Sequence, residues 1–316
     1  MQLRPHQERA LNAMQSTNYG QVYVPTGGGK TYIMIAHCKS LFAAATQPQT
    51  IVVVAPRILL AQQLQSEFSE FITDAMIGHV HSGETDLFST TKPDNIASAV
   101  TLWQANKHHN ILFTTYHSLG RIVDSGINID CIYFDEAHNA CGRSHFTAVY
   151  ATAQYAKRRY YFTATPKIGR GQSAQRGMNN TDVYGGVLCN VPAQELISSG
   201  AIVPPRVIPF ETNRTRTKHN AHDVDADNLK DMFESLNEGD GYLQLDCFQN
   251  PKVLVAAPSS KVLGNMLGQT DILEYFYRKG YHVMHITSKF GAIIDDRKVG
   301  RDEFFNTLQE WGADDN

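Results

Sequence analysis

The sequence predicts an α/β fold, a parallel sheet with helices on both faces, followed by a second, smaller α/β unit. Three observations carry this. Short β-branched, apolar runs recur along the chain, separated by helix-length stretches. Ile51-Val52-Val53-Val54-Ala55 is apolar at every position, as a strand covered on both sides must be. Another such run opens into Pro25-Thr26-Gly27-Gly28-Gly29-Lys30-Thr31, a glycine turn between strand and helix.

Taken in order, Gln21 to Val24 reads as a strand and Tyr32 to Ala45 as the helix after the glycine turn. Leu60, Leu64, Phe68 and Phe71 recur at helical spacing and predict a helix from Leu59 to Phe71. Ile111 to Thr115, Cys131 to Phe134 and Tyr160 to Thr163 are further strands. From Asn179 to Pro209 the pattern loosens around Gly185-Gly186 and Pro204-Pro205, so a first domain is expected over residues 1–205. Residues 206–250 read as a linker or insertion. Basic Arg206, Arg214, Arg216 and Lys218 precede an acidic run of Asp223, Asp225, Asp227, Asp231, Glu234, Glu238 and Asp240, a solvated stretch. A second βαβ-like pattern occupies 251–316, with strands at Val253 to Ala257 and His282 to Ile286 around a helix from Val262 to Lys279.

Of the 316 residues, 42% are hydrophobic and 10% aromatic, enough for a substantial core. With 28 basic against 31 acidic residues the net charge is −3, which excludes a globally basic coat but leaves a local nucleic-acid patch open. Lys157, Arg158, Arg159, Lys167, Arg170 and Arg176 have no acidic residue among them. They read either as such a patch or, for the first three, as the cap of a helix end. No apolar run approaches bilayer length and the N-terminus has no apolar signal core, so a cytoplasmic location is expected, that of the host if the protein is viral. The five cysteines are scattered without C-x-x-C spacing, which fits a reducing compartment and excludes a zinc ribbon.

In the glycine turn, successive backbone N–H groups curl inward toward phosphate oxygens, and the following helix adds its positive end. Lys30 would reach the β- and γ-phosphates and the Thr31 hydroxyl would ligate Mg²⁺. The general pattern places a glycine five residues before Gly29-Lys30; Val24 stands there instead. Downstream, the strand Cys131 to Phe134 ends in Asp135-Glu136-Ala137-His138. An acidic pair at a parallel strand's carboxyl end serves either as a helix cap or as a catalytic pair, Asp135 holding Mg²⁺ and Glu136 deprotonating a water.

With these motifs the chain resembles the superfamily 2 helicases and translocases, over nearly its whole length. Pro25 to Thr31 matches motif I, and Asp135 to His138 matches motif II in its DEAH form. Thr163-Ala164-Thr165-Pro166 matches motif III, Ala55-Pro56-Arg57 resembles motif Ia, and Thr114-Thr115-Tyr116-His117-Ser118-Leu119 resembles motif Ib. Leu3-Arg4-Pro5-His6-Gln7 looks like the adenine-reading opening of many members. The resemblance implies a P-loop RecA-like first domain followed by a partial second one, and ATP with Mg²⁺ as cofactors. It assigns catalysis to Lys30, Asp135 and Glu136, and nucleotide binding to Arg4, Gln7, Thr26, Gly27, Gly28, Gly29, Lys30 and Thr31. Mg²⁺ falls to Thr31 and Asp135, coupling to His138, Thr163 and Thr165, and phosphodiester contacts to Arg57, Thr114 and Thr115.

The Leu-Arg-Pro-His-Gln opening and the Asp-Glu-Ala-His-Asn run resemble restriction-type and phage DNA helicases, which favours DNA over RNA, bound through phosphates without sequence reading. The resemblance thins late in the chain. Lys252 to Pro258 resembles motif IV and His285-Ile286-Thr287-Ser288 the strand after it, but Val299-Gly300-Arg301 lacks the second arginine of motif VI, Phe304 standing in its place. Phe304, Phe305 and Leu308 read instead as the apolar face of a helix. The expectation is a motor truncated in its second domain, or one whose motifs V and VI come from a second chain. The alternative is a nucleotide-dependent DNA-binding module that does not unwind on its own.

Overall fold

The structure is a computed structural model and describes residues 2–83, 85–204, 207, 209–237, 252–287 and 290–313. Among residues named from the sequence, Pro205, Arg206, Glu238, Asp240, Pro251 and Ser288 lie outside those described. The chain divides into two compact units, Met1–Pro205 and Arg206–Asn316.

The first unit runs α1 (Pro5–Gln15), β1 (Tyr19–Tyr23), α2 (Lys30–Ala44), β2 (Thr50–Ala55), α3 (Ile58–Phe71), β3 (Met76–Val80) and β4 (Phe88–Ser89). It continues with α4 (Pro93–Ala105), β5 (Asn110–Thr115), α5 (Leu119–Ser125), β6 (Cys131–Phe134), α6 (Phe146–Tyr155), β7 (Arg159–Thr163), α7 (Thr181–Tyr184), β8 (Val187–Asn190) and α8 (Ala193–Ser198). The eight strands form one parallel sheet in the order β4-β3-β5-β2-β6-β7-β1-β8.

Because strand side chains alternate, each central strand feeds two cores. Ile51, Val53, Phe113, Tyr133 and Phe162 pack with Met14, Ile33, Met34, Leu64 and Phe68 of α1, α2 and α3. Val52, Val54, Leu112, Phe134 and Tyr161 pack on the other face with Ile96, Val100, Ile122 and Val149 of α4, α5 and α6. This is the two-faced parallel α/β sheet expected from the sequence. All strands point the same way, so the loops after β1, β6 and β7 emerge along a single edge.

The second unit is described by itself. It holds α9 (Ala221–Asn237), α10 (Ser260–Gln269), α11 (Ile272–Arg278), β9 (Met284–Thr287), β10 (Gly291–Ile294), β11 (Arg297–Val299) and α12 (Arg301–Ala313). The stretch read as a linker therefore carries a 17-residue helix, its acidic face paired with basic groups (Asp225 with Arg216, Glu234 with Lys279). Ala226 of α9 packs with Met266 and Ile272.

Three sequence-based elements differ. The helix expected from Val262 to Lys279 is two, α10 and α11, broken at Thr270-Asp271. Val253 to Ala257 forms no strand; Leu254 is 95% exposed, so the apolar run finds no covering layer. The strand expected at His282 to Ile286 begins at Met284 and joins an antiparallel β9-β10-β11 meander. α12 buries Phe304 against Ala292 and Ile294, with Phe305 beside it, while Leu308 stays exposed. Among the described residues no helix is long and apolar enough to cross a membrane.

Candidate nucleotide site at the carboxyl edge of the sheet

Val24, which stands where the general pattern has glycine, is held by the sheet between β1 and the glycine turn. Its N–H donates to Thr163 O at 3.1 Å, extending the ladder to β7, and its side chain is fully buried against Gly28. Gly29 sits at φ +78°, and a Cβ there would lie 2.3 Å from the Gln7 amide nitrogen. Gly27 is also left-handed, at φ +80°. Larger residues at either position would be strained, so the turn stays open for an anion.

Behind the turn, α1 acts as a brace. His6 Nε2 lies 2.8 Å from Gly28 O, and Gln7 Nε2 donates to Gly28 O at 3.2 Å. Gln7 Oε1 accepts from Arg4 N at 2.8 Å. Each end of the Gln7 amide thus has a protein partner, with a lone pair on Oε1 to spare, and Gln7 is buried. Arg4 and Thr26 are exposed, and Thr31 is half-buried in the first turn of α2.

The acidic pair meets the glycine turn directly. Lys30 Nζ lies 3.0 Å from Glu136 Oε1, and His138 Nδ1 lies 3.4 Å from Glu136 Oε2. Glu136 adopts φ 45°, ψ 55°, a left-handed conformation that costs a residue with a Cβ roughly 1–2 kcal/mol. Such strain persists where surrounding bonds over-determine the backbone. Here Asn139 supplies them: its N–H and its side-chain Nδ2 both donate to Glu136 O at 2.9 Å.

His138 joins motif II to motif III. Its Nδ1 is 3.0 Å from Thr163 Oγ1 and 3.4 Å from Thr165 Oγ1, and Thr165 N donates to Thr163 Oγ1 at 3.1 Å. Asn139 Nδ2, 3.2 Å from His138 Nε2, can only donate there. Nε2 therefore accepts and Nδ1 carries the proton toward Thr163 and Glu136. The tautomer is set from outside the ring.

Burial, and then the neighbouring Glu136 carboxylate, push the Asp135 carboxyl up to about 6; Lys30 opposes them. A buried carboxylate beside a second one is a donor set short of positive charge, which a divalent cation would supply.

The expected nucleic-acid contacts divide. Arg57 is exposed at the residue preceding α3. Thr114 is fully buried and its hydroxyl donates to Val80 O at 2.8 Å, so its side chain does not reach a surface. Thr115 is buried too, its hydroxyl 3.4 Å from Ser118 Oγ. The basic series also separates. Arg159 begins β7, with its guanidinium 4.1 Å over the Tyr19 ring and Nε donating to Val183 O, and Lys157 pairs with Asp130 at 2.7 Å. Lys167, Arg170 and Arg176 lie in the stretch that follows β7. Sequence reading gave no role to His6, Tyr116, Asn139 or His145; the first three lie inside or beside a motif, but the part of each depends on hydrogen-bond distances that spacing does not reveal.

Fold and edge together define the RecA-like core of a superfamily 2 helicase or translocase. Residues 1–168 match the family model of the type III restriction enzyme res subunit, and the chain belongs to that family. Among solved structures it is similar to the ATP-dependent type ISP restriction-modification enzyme LlaBIII bound to DNA, with 21% identity and a TM-score of 0.53 over 63% of this chain. It is also similar to a nuclease-deletion mutant of the type ISP enzyme LlaGI in complex with a DNA substrate mimic, with 24% identity and a TM-score of 0.56 over 63% of this chain. The chain spans 16% and 18% of those two proteins. The Hef helicase domain of Pyrococcus furiosus aligns over 89% of this chain and 56% of its own, at 16% identity and a TM-score of 0.46. No curated protein matches the sequence significantly.

Proposed function

We propose that the chain is the ATP-hydrolysing core of a DNA translocase or helicase. The contact of Lys30 with Glu136 at 3.0 Å carries this reading, because it places the phosphate-binding ammonium and a candidate base on the same few ångströms of sheet edge. Gly27, Gly28 and Gly29 would receive the phosphates, with Lys30 on the β- and γ-oxygens. Thr31 and Asp135 would hold Mg²⁺, which when bound neutralises charge on those oxygens. Glu136 would orient the attacking water and accept its proton. His138, held between Glu136 and Thr163, would carry the state of the nucleotide into motif III. Gln7 braces the turn from behind. The polyanion is DNA rather than RNA, a choice supported by the sequence resemblance and by the two DNA-bound proteins that share the fold. Arg57 and the loop after β5 would touch its phosphates.

The test is Mg²⁺-dependent ATP hydrolysis with and without random-sequence duplex and single-stranded DNA. Lys30→Ala should lower turnover by about 10²–10³-fold, as loss of one preorganised charge-stabilising donor does elsewhere. Wild-type turnover in that variant would refute the assignment.

A further inference from the structure

We infer that Tyr116 and Asn139 are positioning residues for hydrolysis, fixing the two peptide groups from which Asp135 and Glu136 project. This assignment rests on the ATPase reading above. The Tyr116 hydroxyl donates to Asp135 O at 2.8 Å. Its ring is only 2% exposed and stacks with two others, with centroids 6.1 Å from Phe134 and 5.7 Å from His145. A side chain so enclosed holds its hydroxyl in one place. On the next peptide, Asn139 Nδ2 donates to Glu136 O at 2.9 Å, and His145 Nδ1 lies 3.2 Å from Asn139 O. The carbonyls of Asp135 and Glu136 are thus gripped from two elements, the loop after β5 and the turn leading to α6.

The grip has a chemical purpose. Glu136 must stay left-handed for its carboxylate to face Lys30 and His138, and short-range sterics alone pull it away from that conformation. Asn139 adds a second control by holding His138 in the tautomer that donates toward Glu136. Tyr116 immediately follows Thr115, so the residue gripping the Asp135 peptide belongs to the loop expected to meet DNA.

The test compares Tyr116→Phe, which keeps the stacked ring and removes only the hydroxyl, with Asn139→Ala, which removes the side-chain donor and adds no charge. Turnover is measured per nucleotide-binding site, counted with a fluorescent ATP analogue in Mg²⁺, beside wild type and Lys30→Ala. The expected result for both variants is kcat lower by about 10- to 100-fold, the cost of a reacting group misplaced by roughly an ångström. KM and the number of binding sites should stay within about twofold of wild type, since uniform binding is untouched. Wild-type kcat in both variants would overturn the assignment. A loss of binding sites in proportion to lost turnover would also overturn it, leaving the two groups a role in stability alone. Wild-type protein without Lys30-dependent turnover would instead sink the ATPase reading, and this inference with it.

Discussion

Lys30 and Glu136 face each other at 3.0 Å with side-chain exposures of 11% and 27%, so a phosphate bound at the turn as proposed would compete with the carboxylate for one ammonium. Nucleotide entering the turn would then have to displace that carboxylate. Glu136→Gln removes both the competitor and the repulsion. The variant should bind Mg·ATP more tightly than wild type, by about two- to fivefold, the range of a partly solvated ion pair. Its turnover should be nearly lost, since the proton acceptor is gone. Equilibrium titration with the ATP analogue, beside steady-state hydrolysis, separates the two effects; weaker binding would show that the pair helps shape the site. Legibility at this scale followed chemistry. Lys30, Glu136, His138 and Thr163 could be picked out because they stand in motifs of distinctive spacing, and the structure brings them together. Tyr116 and Asn139 could not, because Tyr and Asn serve many purposes and their partners lie 19 and 3 residues away.

At the level of elements, strands that are apolar throughout were legible and interrupted ones were not. Cys131 to Phe134 is apolar throughout and is a strand over those same residues, and the runs at Ile51, Ile111 and Tyr160 each extend by one residue. β3 was missed because Met76-Ile77-Gly78-His79-Val80 breaks the apolar run twice, for local reasons. A Cβ at Gly78 would meet Leu112 and Trp103 at 3.0 Å, and His79 is buried with Nδ1 2.9 Å from His81 Nε2. The run at Val253 shows the converse error, since apolar composition makes a strand only where a neighbour covers it. This contrast predicts stabilities. Phe162, fully buried in β7 between β6 and β1, should cost about 3–5 kcal/mol on Phe162→Ala. Leu254→Ala, at 95% exposure, should change stability by no more than about 0.5 kcal/mol. Denaturant unfolding of both variants is the measurement, and similar losses would mean that Leu254 packs against something.

On the scale of the whole molecule, a net charge of −3 and a pI near 6.5 mean that any hold on DNA must come from local groups. Affinity for random DNA should therefore be indifferent to sequence, and log K should fall linearly with log salt, by about 0.9 for each phosphate contacted on duplex DNA. A titration series across salt concentrations checks this; a flat response with sequence preference would contradict it. The strand order has a further consequence in time. β1, which carries the glycine turn, pairs with none of the strands that follow it closely; its neighbours are β7, beginning at Arg159, and β8, ending at Asn190. Such long-range pairing is slow, because the loop between must close before any contact rewards it. A chain emerging from the ribosome can assemble β2, β3 and β5 early, but it cannot flank the phosphate turn on both sides until synthesis passes Asn190. Nucleotide binding should accordingly be the last property to appear during refolding, later than the recovery of helical signal, and a stopped-flow comparison of the two would date it. The glycine turn proposed to hold ATP should thus be among the last parts that folding completes.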